Sequence, residues 1–294
     1  MIYKPERTHR KADADRHDAG PGNGRIVIRR EGFMKADYKN WMPKGMIYAA
    51  LAVMVTALIL ALILAWTSFL TGPVKIVLVI IFAAAAVLFC ALTIWTVMLY
   101  RAFDYRGTRQ MSRQIIEGTA AYLTIPDGGT CLDVGCGSGA LSIAAAKRFP
   151  NAEITGIDRW GKEYASFSRQ LCEENARAEG VSNVRFRPGN AVELDFPDET
   201  FDTVTSNFVY HNIPGDRQAI LLETLRTLKK GGTFAIHDIF APVKYGDMQA
   251  FVRKLRDMGY QKAELIDTTD GIFMTKSEAR RLGLAGSAML TGVK

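Results

Sequence analysis

The stretch CLDVGCGSG, residues 131–139, carries Asp133 and then Gly135, Gly137 and Gly139 in alternation. Glycines after an apolar run let the backbone turn sharply and approach a ligand with no Cβ in the way. The N–H groups that open the following helix then meet a carboxylate or a phosphate. Such a loop is also an ordinary structural turn, and three later features add to it. Asp158 lies nineteen residues after Gly139, where a carboxylate accepts two hydrogen bonds from a ribose diol. Gly189-Asn190-Ala191 presents an amide and backbone N–H groups suited to an adenine edge. Asp195–Asn207 leads into a further strand. A dinucleotide-binding fold shares the acid, but its fingerprint is G-x-G-x-x-G. Here the spacing is G-x-G-x-G, with an acid two residues ahead of the first glycine.

Proton chemistry has few candidates. Of the four histidines, His9 and His17 lie in the N-terminal tail, while His211 and His237 lie near predicted strand ends. An imidazole takes a proton near neutral pH, as few side chains do. His211, in SNFVYHNI, is a candidate base or substrate contact, and a hydrogen-bonded structural histidine is the alternative. His237 carries the same two readings, Tyr210 and Asn207 are further candidates, and Asp238 is placed to cap or orient. Cys90, Cys131, Cys136 and Cys172 show no C-x-x-C spacing. They indicate neither a metal site nor a disulfide framework, and read as reduced cytosolic thiols.

The elements that must hold these residues follow from the pattern. Apolar runs predict strands at Thr130–Val134, Glu153–Asp158, Asn183–Arg187, Phe201–Asn207, Thr233–Phe240, Lys262–Asp267 and Ser287–Val293. Helices are predicted over Thr108–Leu123, Ala140–Phe149, Trp160–Gly180, Asp247–Met258 and Thr275–Leu282. Another runs from an Asp216 N-cap through Lys229, stopped by Gly231-Gly232. Strands alternating with helices predict parallel βαβ units and a doubly wound α/β domain. Ligands of such sheets bind beyond the carboxyl ends of the strands.

The rest of the chain is of another kind. The 294 residues are 48% hydrophobic with a net charge of +7, yet residues 46–100 contain one charge, Lys75. Met46–Trp66 and Ile76–Tyr100 are each long enough to span a hydrocarbon core of ~30 Å at ~1.5 Å per residue. Gly72 and Pro73 between them predict a short break and an antiparallel hairpin. Trp41, Tyr48, Trp66, Trp95 and Tyr100 fall near the span ends, where aromatic rings favour the headgroup level. Lys35, Lys39 and Lys44 precede the hairpin, and Arg101, Arg106, Arg109 and Arg113 follow it. That asymmetry predicts a multi-pass cell-membrane protein with both termini cytoplasmic. A cleaved signal peptide fits poorly, because about 45 residues precede the first span and a second span follows. Residues 1–45 read as a basic tail, disordered to at least about Gly24, that sets topology or meets anionic lipid headgroups. The domain plan is therefore a tail over 1–45, a hairpin over 46–100 and an α/β domain over 101–294.

With these motifs in order, residues 109–294 resemble the class I S-adenosylmethionine-dependent methyltransferases. LDVGCGSG resembles their first motif, Asp158 their second-strand acid, GNA their third-strand motif and LKKGGTFAIHDIF (Leu228–Phe240) their fifth-strand region. The nearest subgroup is similar to the ubiquinone and menaquinone C-methyltransferases. The resemblance implies a seven-stranded Rossmann-like sheet whose last strand inserts antiparallel. It implies that Gly135, Gly137 and Gly139 cradle the methionine part of S-adenosylmethionine, with Asp133 near its amino group. Asp158 would hold the ribose hydroxyls, and Asn190 and Ala191 would contact adenine. Cys136, Ser138, Arg159, Trp160, Ser206 and Asn207 complete the implied cofactor set, and no metal is implied. Asn190 stands where the family often has Asp, which keeps an acceptor oxygen and loses the charge. Trp160 would pack on the adenine or ribose, or serve as a core aromatic. The resemblance places the acceptor-side loop after the fourth strand, at His211.

The resulting expectation is a membrane-anchored methyltransferase. Its donor is already activated, so placement of the reactants supplies much of the rate, and a base is needed only if the acceptor loses a proton. A site beside a bilayer suits a lipid, a quinone or another small amphiphile. The positive charge sits largely in the tail and the hairpin flanks, with no aromatic-basic module, so nucleic acid is not expected as a partner. The alternative is a non-catalytic membrane regulator that binds the cofactor or a partner.

Overall fold

The computed structural model describes residues 35–161 and 166–294. The part of the expected tail up to residue 34, with its disordered stretch, lies outside the described residues.

Helix α1 (Lys44–Trp66) and helix α2 (Gly72–Ala102) form the hairpin. Both are long and apolar enough to cross a membrane by length and composition. Little of either is covered by protein, and Leu58, Ile81, Val87 and Leu88 are exposed along them. Thr93 Oγ1 donates to the Phe89 carbonyl at 2.7 Å and Thr96 Oγ1 to the Thr93 carbonyl at 2.9 Å, so these hydroxyls are satisfied within their own helix. Lys44 Nζ lies 5.7 Å from the centre of the Tyr100 ring, which brings the start of α1 to the end of α2. The expected break between the two spans falls at residues 67–71, while Gly72 and Pro73 themselves open α2, with Thr71 as N-cap. Proline's missing N–H and fixed φ suit a helix's first turn, where that N–H has no partner anyway.

The α/β domain holds a seven-stranded sheet. Its strands are β1 (Thr130–Val134), β2 (Glu153–Asp158), β3 (Val184–Pro188), β4 (Phe201–Asn207), β5 (Leu228–Ile239), β6 (Lys262–Asp267) and β7 (Ser287–Val293). The spatial order is β3-β2-β1-β4-β5-β7-β6. Strands β1 to β5 pair in parallel, and β7 inserts antiparallel between β5 and β6. The chain order reverses at β1 and β4, where a crevice opens beyond the strand ends.

Helices α3 (Met111–Ala121), α4 (Ala140–Arg148), α5 (Arg169–Ala178), α6 (Arg217–Arg226), α7 (Pro242–Tyr245), α8 (Met248–Asp257) and α9 (Lys276–Arg281) connect the strands. Asp216, as expected, caps α6 by accepting from the N–H groups of Gln218 and Ala219. Several boundaries differ from the reading, three of them for a reason visible in side-chain contacts or burial. The helix expected from Trp160 begins at Arg169, where Ser168 Oγ accepts from the Leu171 N–H, and Trp160 has φ +42°. Helix α6 ends at Arg226, whose guanidinium is tied to Glu223, Asp198 and the carbonyls of Leu194 and Phe196. Leu228 then starts β5, fully buried and opposite Phe201.

The segment before α1, assigned to the tail, packs against the domain. Ala36 and Tyr38 are buried while Lys35, Asp37 and Lys39 are exposed, the alternation of an extended strand-like run. Asp37 N–H donates to Asn175 Oδ1 at 2.7 Å, Asn40 Nδ2 donates to the Tyr100 carbonyl at 2.7 Å, and Arg106 donates to the Ala36 carbonyl.

Candidate active site

The loop after β1 is built by main chain. Gly135 and Cys136 N–H groups both donate to the Ile157 carbonyl, at 2.8 and 2.9 Å, which docks the loop on the end of β2. Gly135 has φ +74°, and a Cβ there would come within 2.3 Å of the Val209 side chain. Gly137 has φ +56°, and a Cβ there would reach no protein atom closer than the Phe167 ring at 3.7 Å. Its missing side chain leaves open space in the cavity described below.

Asp158 closes this loop from β2. Its Oδ2 accepts from Gly137 N–H at 2.9 Å and its Oδ1 from Trp160 N–H at 2.7 Å. Each carboxylate oxygen keeps a second lone pair for another donor. The Trp160 indole donates to the Gly137 carbonyl at 2.9 Å and Cys172 Sγ to the same carbonyl at 3.1 Å. Asn175 on α5 donates to the Ser138 carbonyl at 3.0 Å and, with its oxygen, holds Asp37. Asp133 is almost fully buried and accepts from Ser142 Oγ at 2.5 Å. Burial, helped by the nearby Asp158 charge and opposed by Ser142, pushes its carboxyl up to about 7.

A cavity of about 610 Å³ opens in front of this loop. Asp133, Gly135, Cys136, Gly137, Ser138, Asp158, Arg159, Asn190, Ala191, Asn207 and His211 line it. Five residues of the sequence-derived set do not. Gly139 is buried behind the loop, where a Cβ would come within 2.9 Å of Phe186. Trp160 latches the loop through Gly137. Ser206 is buried and donates to the Val134 carbonyl at 2.7 Å. Tyr210 is fully buried, with its hydroxyl 2.8 Å from Thr224 Oγ1, and burial raises its phenol. His237 is fully buried between Asn207 Oδ1 and Thr268 Oγ1, both at 2.9 Å. Burial pushes its imidazole down to about 3, so it stays neutral at physiological pH. Tyr210 and His237, candidates for proton chemistry in the sequence, therefore serve as supports: neither reaches the cavity.

His211 does reach it. Its Nδ1 lies 2.5 Å from Asp238 Oδ1. Asp238 is fully buried at the end of β5. Its Oδ2 accepts from the N–H groups of Tyr210 and His211, and its Oδ1 from Ile239 N–H. With Nδ1 committed to a carboxylate, Nε2 is the nitrogen left for a substrate proton.

Other lining residues escaped the sequence reading: Trp41, Met42, Phe103, Phe208, Leu282 and Leu284. Phe208 has φ +56°, a costly conformation for a bulky residue. It sits with its ring 6.0 Å from His211, 4.7 Å from His237 and 5.5 Å from Trp41, centre to centre. The available signal was the position of Trp41 at a span end, read above as a headgroup anchor only.

Residues 125–281 match the family described as "Methyltransferase domain". This chain belongs to that family. The assignment bears out the resemblance to the class I S-adenosylmethionine-dependent methyltransferases and, with the observed sheet, the expected fold class. Among similar proteins, the demethylmenaquinone methyltransferase of Bacillus licheniformis is 36% identical over 134 residues, covering 45% of this chain and 54% of its own. That of Bacillus subtilis is 32% identical over 157 residues, covering 52% and 65%. The chain thus spans between half and two thirds of the length of these relatives. A SAM-dependent methyltransferase from Aquifex aeolicus is a similar solved structure, 18% identical with a TM-score of 0.43, covering 61% of this chain and 92% of that one. The methyl donor of the family is S-adenosylmethionine, and the cavity of this methyltransferase domain fits it on its own terms. Two carboxylates at the ends of adjacent strands face a glycine loop that leaves room for a ligand. Asp133 is a buried carboxylate, and an ammonium group beside it would favour its charged form.

Proposed function

We propose that this protein transfers a methyl group from S-adenosylmethionine to a lipid-like, quinone-type acceptor at the cytoplasmic face of a membrane. The observation that carries the reading is one cavity lined both by the Asp133–Ser138 loop with Asp158 and by His211 backed by Asp238. The relatives named for demethylmenaquinone support the acceptor class. The two apolar helices support the membrane, and the flanking lysines and arginines support a cytoplasmic domain.

Bound S-adenosylmethionine supplies an activated methyl on sulfur. The chain's residues do the rest by placement. Asp158 accepts from the ribose hydroxyls through the lone pairs that Gly137 and Trp160 leave free. Asp133 meets the amino group, and Asn190 and Ala191 meet the adenine. Cys136, Ser138, Arg159 and Asn207 complete the cavity wall around them. His211 takes the proton that the acceptor gives up, while Asp238 holds the ring with Nε2 unprotonated. Proton removal by a positioned base contributes ~10²–10⁴-fold.

The test uses the full chain in phospholipid vesicles, supplied with S-adenosylmethionine and a bacterial lipid extract. Formation of the demethylated cofactor together with a methylated quinone in the mass spectrum is the expected result. Cofactor binding with no product from any extract would replace an enzyme with a cofactor-binding regulator.

A further inference from the structure

The apolar part of the cavity wall comes from the chain on either side of the two long helices. Trp41 and Met42 directly precede Pro43, the N-cap of α1, and Phe103 is the C-cap of α2. Opposite them in the wall are Leu282, Gly283 and Leu284, the turn that follows α9. The Trp95 indole on α2 donates to the Arg281 carbonyl at 2.9 Å, which ties that turn to the helix.

Helix lengths set the height of this wall above a bilayer. At ~1.5 Å per residue, the 23 residues of α1 cover ~35 Å, slightly more than a hydrocarbon core. The 31 residues of α2 cover ~46 Å, so its last turns extend beyond that core. Those turns carry Trp95, Tyr100 and Arg101, and Lys44 sits over Tyr100. Aromatic and basic side chains of this kind settle at the headgroup level. The apolar wall therefore lies at the headgroup level, at the edge of the hydrocarbon core.

The chemistry of the wall changes across the cavity. Asp133, Asp158 and Asn190 are its polar lining, and Trp41, Met42, Phe103, Leu282 and Leu284 its apolar lining. Aromatic rings connect the apolar part to the proposed base: Trp41 packs edge-on against Phe208, and Phe208 edge-on against His211.

We propose that the methyl acceptor enters sideways from the bilayer, along the wall formed by Trp41, Met42, Phe103 and Leu282–Leu284, with Trp41 packed against its apolar tail. The inference rests on the methyl-transfer reading above and assigns to the hairpin a part in the site rather than anchorage alone. Residues 41–42 and 103 then act as specificity residues for acceptors that carry a long apolar tail.

The test compares two naphthoquinols that differ only in their tail, one polyprenyl and one a single methyl group, both with hydrogen at the position to be methylated. The full chain in phosphatidylcholine vesicles is assayed as wild type and as Trp41→Ala, Trp41→Phe and Met42→Ala. The ratio of kcat/KM for the tailed over the short acceptor is expected to fall about tenfold in Trp41→Ala, the equivalent of ~1.4 kcal/mol of lost apolar contact. Trp41→Phe should recover most of that ratio, and Met42→Ala should lower it less. A ratio near one in the wild type, or a ratio unmoved by all three variants, overturns lateral entry and leaves methyl transfer standing. If neither naphthoquinol is methylated, the acceptor reading fails, and entry is decided separately on the wild-type chain. A vesicle phospholipid with a diazirine in its acyl chain should then label residues 41–42 and 282–284. Labelling confined to α1 and α2 would overturn the proposal. The same labelling decides the matter if Trp41→Ala does not fold.

Discussion

The two parts of the cavity are built by different means. The cofactor side is mostly main chain from one short run: Gly135, Cys136 and Gly137 are held by the Ile157 carbonyl and the Asp158 carboxylate. The proposed acceptor side is mostly side chain, gathered from residues 41–42, 103, 208–209, 211–214 and 282–284. Backbone geometry set by a glycine spacing tolerates little change, whereas a wall of packed side chains is re-shaped by single substitutions. Asp238 and Asn175 join them to the scaffold, the first through His211 and the second by bridging Ser138 and Asp37.

If the division holds, substitutions on the two sides separate turnover from cofactor affinity. The largest effect is expected at His211. His211→Asn should lower turnover by ~10²–10⁴-fold and leave the Kd for S-adenosylmethionine nearly unchanged by calorimetry. Normal turnover with a native acceptor would remove His211 from proton transfer. A loss seen mainly in KM would make it a positioning residue instead.

Asp158→Ala addresses the other side. It removes hydrogen bonds to a charged group, worth ~1.5–3 kcal/mol each, so the Kd should rise by at least ~10-fold. The Gly137 and Trp160 N–H groups also lose their acceptor, so Asp158→Asn is the milder companion. An unchanged Kd in both variants would mean that the glycine loop alone holds the ligand.

Asp238→Asn should cost no more than the loss of His211, with turnover lowered and both KM values retained. Asparagine keeps one acceptor for the N–H groups of Tyr210 and His211 but withdraws the carboxylate from Nδ1. In a His211→Asn background the same change should add nothing, the mark of residues acting as one unit. Additive losses would show that Asp238 acts through the fold.

The smallest effect is on stability. Burial raises the Asp133 carboxyl to about 7, above the ~3.9 of an unfolded chain. Between those values the folded state binds more protons than the unfolded one, so stability falls as pH rises from ~4 to ~7 and is level above. Asp133→Asn in the cofactor-free chain should flatten that part of the Tm-against-pH curve, by up to a few kcal/mol at pH 8. Saturating S-adenosylmethionine should flatten it in the wild type. An identical slope in the variant would assign the pH dependence to other groups.

The sequence by itself determined the domain class, the glycine loop with its two acids and the two apolar helices. Each is local: alternation, a glycine spacing and an uncharged run read the same wherever the chain folds. It also placed β6 and β7 at their observed bounds, because both are short apolar runs between turn residues. Boundaries that depended on partners were not legible. The end of α6 is set by the partners of Arg226, the start of α5 by Ser168, and Pro73 reads equally as a breaker or as an opening residue. Tertiary structure alone decided which polar residues face the cavity. Tyr210 and His211 are neighbours, yet one turn of the chain buries the first against Thr224 and brings the second to the cavity with Asp238 behind it. It alone brought Trp41 against both Phe103 and Phe208. Those contacts join residues 62 and 167 positions apart in the chain, and no local pattern encodes a distance that only packing closes.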